Sequence, residues 1–118
     1  MNYKLELNEL PFEAIKSGKK KVETRTKVPH NMTPYEEMRS GDTITFIKSS
    51  TGEEMVVMIT EVSHYQDVAT MLGSEGQENV MSYEASTEEA IKSYASLSGY
   101  PEGIKKYGIW AIKIKPLS

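Results

Sequence analysis

The chain has 118 residues and no cysteine, with 38% hydrophobic and 26% charged residues and a formal net charge of −3. That is the size and composition of one globular domain around one hydrophobic core, and it excludes a disulfide framework, a thiolate nucleophile and a thiolate metal site. The negative total argues against a protein that coats nucleic acid indiscriminately.

Tyr3 to Leu7 alternates polar and apolar residues and predicts a strand. A short helix follows from Asn8 or Glu9, with Pro11 in its first turn, Leu10, Phe12 and Ile15 as candidates for its apolar stripe, and Gly18 placed to close it. Lys20 to Thr26 reads as β around Val22 and Thr24. Val28 to Ser40, with Pro29 and Pro34, predicts a loop holding one helical turn near Tyr35 to Met38. Gly41-Asp42 opens a strand over Thr43 to Ile47, Ser49 to Gly52 makes a hairpin loop, and Glu54 to Val62 returns as a longer strand with Val56, Met58 and Thr60 on one side. Asp67 to Leu72 is helical in pattern, broken by Gly73 and Gly76. Ser86 or Thr87, followed by Glu88 and Glu89, caps a helix that runs to about Leu97 and buries Ala90, Ile91, Tyr94 and Leu97. Tyr107 to Ile114 is the strongest strand signal. It is apolar on both faces, which places it centrally in a sheet. The succession lacks the repeated βαβ units of a doubly wound sheet, so the expected fold is α+β, a small mixed β-barrel with helices packed around it.

No apolar run approaches the roughly 20 residues of a membrane helix, and the first residues do not form a signal core. A cytosolic location without membrane contact is expected. His30 and His64 are far apart and lie in no metal-ligand spacing, so neither a metal nor a cofactor is expected. The sequence sets no oligomeric state. Charge is segregated: residues 1–27 carry +3, residues 28–99 carry −9 and residues 100–118 carry +3. Termini lying side by side would merge the two basic ends into one positive surface.

The densest chemistry lies at Gly18-Lys19-Lys20-Lys21-Val22-Glu23-Thr24-Arg25. In an extended strand Lys21, Glu23 and Arg25 share one side while Val22 and Thr24 take the other; Lys20, in the turn, is free to lean over the polar side. Arg25 offers a planar fork for phosphate or base edges. Glu23 can orient that fork or accept from an exocyclic amine, and a Lys adds a mobile cation.

Gly18, Lys20, Glu23 and Arg25 match the pattern GxKxxExR, and here the chain resembles the ASCH domain family, relatives of the PUA domain. The helix at Leu10-Pro11-Phe12, the Gly41-Asp42 strand opening, the acidic stretch around Glu75 and the closing Tyr107–Ile114 strand occur in the family's order, so the resemblance spans nearly all of residues 1–118. It implies one PUA-like domain whose motif-lined cleft binds RNA, a nucleoside or a nucleotide. Some small bacterial members resemble this chain in length and deacetylate N4-acetylcytidine with a Lys, a Thr and a later Glu. The Lys matches Lys20 and the Thr position is occupied by Glu23. The later Glu corresponds to Glu75, with Glu78 as the alternative; Lys20 and Glu75 would then act on a water directly. Other members are nucleases, a chemistry that Lys19, Lys20, Lys21 and Arg25 permit. Tyr107 at the start of the last strand is a candidate stacking platform, with Lys105 and Lys106 beside it, whereas Trp110 reads as core.

Overall fold

The last strand organises the molecule. The computed structural model describes residues 1–117. Its strands are β1 (Asn2–Leu7), β2 (Val22–Arg25), β3 (Thr43–Lys48), β4 (Glu54–Tyr65) and β5 (Ile109–Pro116). They form one curled sheet in the order β1-β3-β4-β5-β2, parallel at β1/β3 and antiparallel elsewhere. β5 therefore lies between β4 and β2, and its two apolar faces serve two cores. Ile112 and Ile114 join Leu5, Phe12, Ile44, Phe46, Val57 and Ile59 inside the curl, while Ile109 and Ala111 pack with Val22 against Met71, Leu72, Ala90 and Tyr94 of the helices outside. Each fully buried aliphatic or aromatic side chain contributes about 1.5–3 kcal/mol.

The helices are α1 (Glu9–Lys16), α2 (Val68–Glu75), α3 (Gln77–Val80), α4 (Thr87–Ala95) and α5 (Tyr100–Tyr107), with a 3₁₀ turn at Tyr35–Glu37. α1 buries Phe12, Ala14 and Ile15. α4 starts with a full capping box, the Ser86 hydroxyl accepting from Glu89 N–H while the Glu89 carboxylate accepts from Ser86 N–H.

Several local expectations are corrected. α2 runs through Gly73, because its caps at Asp67 and Gly76 outweigh the roughly 1 kcal/mol cost of one interior glycine. α4 ends at Ala95, and Ile91 and Leu97 stay exposed. The inward residues of β4 are Val57 and Ile59; Val56 is exposed, on the outer face of the sheet. Tyr100 to Tyr107 forms a helix, started by Gly99 in the left-handed region and by Pro101 in the first turn. Tyr107 thus ends a helix instead of opening β5.

Candidate functional site

β2 is an edge strand: one side pairs with β5, and the other faces a cleft of about 550 Å³. α1 closes with Gly18 at φ +84°, a conformation suited to glycine, and the chain turns directly into β2. That turn points Lys20 inward. Its ammonium is buried, donates to the carbonyl of Val80, and lies 3.5 Å from Oε1 of Glu23. Nε of Arg25 donates to the other Glu23 oxygen at 2.7 Å, and Nη2 of Arg25 donates to the carbonyl of Glu6 at 2.8 Å. Glu23 thus sits between two cations on the cleft wall. Alternation holds for Glu23 and Arg25, which share the side of Ile112 and Trp110, their partners on β5.

Thr24 faces the opposite way, toward α4, where its hydroxyl and that of Tyr94 lie 2.5 Å apart. It still lines the same cleft, because the cleft runs along the free edge of the strand and meets residues of both faces. Tyr83, Tyr94 and Tyr100 stand across from Glu23, with Leu10 and Leu97 exposed at the rim. The sequence reading missed these three tyrosines as site residues. The available signal concerned Tyr94 alone, a tyrosine at a buried helical position, whose hydroxyl must find a polar partner.

Burial lowers the Lys20 pKa below its ordinary value, and the Glu23 carboxylate only partly opposes it. Burial also works against the charge of Arg25, but Glu23 and the neighbouring tyrosines outweigh it and the net direction is upward. Burial raises the Tyr94 phenol and pushes that of Tyr100 up to about 12, so both are neutral donors at pH 7.

The remaining expected residues lie elsewhere. Glu75 is not part of the Lys20 cleft; its carboxylate accepts from the Tyr65 hydroxyl at the end of α2, and no Lys20–Glu75 pair forms. Glu78 and Lys19 line an adjacent cleft that shares Met81 and Tyr83 with the first. The Lys21 side chain is exposed, its backbone N–H donating to Asn79 O at 2.8 Å. Tyr107 lies in a separate groove with Lys27 and Lys106 near its ring. His64 has its Nε2 2.6 Å from the Tyr107 carbonyl and its ring centroid 4.7 Å from that of Trp110. The two basic segments meet where β2 pairs with β5, but at the cleft Lys20 and Arg25 are held against Glu23. Among the described residues no group of three or more potential ligands is placed to hold a metal ion, and no helix is long and apolar enough to cross a membrane.

A curled five-stranded half-barrel flanked by helices, with a polar cleft at one edge, defines the α+β, PUA-like class of domain. The chain belongs to the ASCH domain family, whose model matches residues 5–118. The crystal structure of the hypothetical protein PH0355 is similar to it over 99% of this chain and 100% of that one, with 34% identity and a TM-score of 0.81. The solution structure of protein PF0455 from Pyrococcus furiosus is similar over 100% and 99%, with 34% identity and a TM-score of 0.75. An ASCH protein from Zymomonas mobilis shares the fold at 14% identity and a TM-score of 0.62, over 99% of this chain and 75% of that one. No curated protein matches the sequence significantly.

Proposed function

We propose that the cleft binds a nucleobase, carried by a modified nucleoside or by single-stranded RNA. The observation that carries this reading is the Lys20–Glu23–Arg25 row, with Lys20 and Glu23 buried and Arg25 half-buried, sharing a cleft of about 550 Å³ with three tyrosines. Polar groups on one wall suit base edges, and aromatic rings on the other suit a base face. Membership in a family linked to RNA binding supports the same reading. Because Glu23 already engages both cations and leaves at most one net positive charge on the row, the cleft itself is better suited to a base than to a phosphate. A fluorescence titration with a nucleoside panel and short single-stranded RNA tests it: binding is expected for the parent protein and lost in Arg25→Ala. Equal binding by parent and variant would sink the reading. Steep weakening with salt would mark RNA as the ligand, and salt independence a nucleoside.

A second reading, hydrolysis of an acylated nucleoside, is favoured by the Lys20 amine, whose lowered pKa brings its neutral form within reach beside Glu23. In this version Lys20 accepts a proton from the attacking water and no covalent intermediate forms. Cytidine release from N4-acetylcytidine, followed by chromatography, is expected for the parent and absent for Lys20→Met. No product from the parent ends this version.

A further inference from the structure

The free edge of β2 carries an unused hydrogen-bonding pair. Ile114 N–H donates to Lys21 O at 3.1 Å, and the register sets Lys21 opposite Ile114, Glu23 opposite Ile112 and Arg25 opposite Trp110. In an antiparallel ladder hydrogen-bonded and non-hydrogen-bonded pairs alternate, so Glu23 and Arg25 spend their backbone groups on β5. Val22, Thr24 and Thr26 then direct theirs to the free edge. Thr24 lies between, is only 7% exposed, and lines the cleft. Among the described residues no partner meets its N–H or its C=O, although its hydroxyl is held by Tyr94. Val22 has the same parity and is more deeply buried, but only Thr24 of the two lines the cleft, so its pair is the one open to water or to a bound molecule.

We infer that the Thr24 backbone reads the edge of the bound base: its N–H donates to a ring nitrogen or carbonyl, and its C=O accepts from an adjacent N–H. The inference rests on the nucleobase reading above and narrows it to bases with a donor and an acceptor on neighbouring atoms of one edge. Uracil, hypoxanthine, cytosine, adenine and guanine have such an edge, and the surrounding cleft must choose among them. A base methylated at the donor nitrogen does not. A phosphodiester, which only accepts, can meet the N–H but leaves the C=O unpaired.

The test is calorimetric titration of the full chain with uridine, inosine and cytidine, each against its methylated partner: 3-methyluridine, 1-methylinosine and N4,N4-dimethylcytidine. For whichever parent nucleoside binds, methylation is expected to weaken binding at least tenfold, and hydrogen exchange at the Thr24 amide to slow at least tenfold on saturation. The amides of Glu23 and Arg25, already tied to β5, serve as unchanged references. Equal binding of parent and methylated nucleosides, or an unaltered Thr24 amide, overturns the inference and leaves the nucleobase reading standing. Binding of none of the six, nor of adenosine or guanosine, overturns both.

Discussion

The Arg25 guanidinium reaches from β2 to the backbone carbonyl of Glu6 on β1, donating from Nη2 at 2.8 Å. β1 and β2 are the two ends of the five-strand order, so this one side chain ties the edges of the curled sheet across its open side. Its Nε holds Glu23 at the same time, at 2.7 Å. Arg25 is therefore both a wall of the cleft and a clasp on the fold.

Arg25→Ala removes the clasp and leaves Glu23 with Lys20 alone. Loss of a hydrogen bond to a charged group costs about 1.5–3 kcal/mol, and because Glu23 keeps Lys20 a drop of roughly that size in urea-unfolding free energy is expected. Arg25→Lys should recover only part of it, because an ammonium cannot span Glu23 and Glu6 as a planar fork does. Equal stability of the Lys variant and the parent would count against the clasp.

Lys20 gives a pH dependence of definite sign. Its pKa in the folded chain lies below the ordinary 10.5 because of burial, while the unfolded chain keeps the ordinary value. Below the folded value both states carry the proton and the cost of burying the charge is fully present. Between the folded value and 10.5 the unfolded state binds more protons, so stability rises with pH. Urea midpoints of the parent, measured relative to Lys20→Met, are expected to climb as pH increases through that window. A flat difference up to pH 10.5 would show that the amine is not depressed.

The Thr24 and Tyr94 hydroxyls, 2.5 Å apart and buried, form a coupled pair. Thr24→Val or Tyr94→Phe alone strands one hydroxyl and is expected to cost about 1–3 kcal/mol. The double variant should lose less than the sum of the two, giving a coupling energy of about 0.5–3 kcal/mol in a double-mutant cycle. Strict additivity would deny the bond.

Gly103 on α5 packs directly on the backbone carbonyl of Lys27, and a Cβ there would collide with that oxygen and with the Thr26 side chain. Gly103→Ala is expected to destabilise by about 1–3 kcal/mol despite alanine's better helix propensity, read as a lower thermal midpoint. A rise in the midpoint would show that α5 can shift away freely.

Much of the fold was legible in the sequence. The two-faced apolar pattern of Ile109 to Ile114 put β5 inside the sheet, and the Ser86–Glu89 spacing marked the start of α4, because both signals are local. The helix from Tyr100 to Tyr107 was not legible: with two prolyl and glycyl neighbours its propensity is poor, and it forms by packing Gly103 on the 26–27 backbone. The cleft divided in the same way. Glu23 and Arg25 on one side of β2 followed from strand alternation, whereas Glu75 was assigned by order along the chain and lies beside Tyr65 instead.

The sequence by itself determined the α+β class, the family motif from Gly18 to Arg25, and the side of the strand on which Glu23 and Arg25 stand. Tertiary structure alone decided that Lys20 is buried against Glu23, that Tyr83, Tyr94 and Tyr100 form the facing wall, and that the backbone of Thr24 is left open to the cleft. The reason is physical. Periodicity of two or of 3.6 residues fixes which way a side chain points from its own element, but which elements meet, and which strand edge stays unpaired, depends on contacts between residues far apart in the chain, as Val22 is from Lys113.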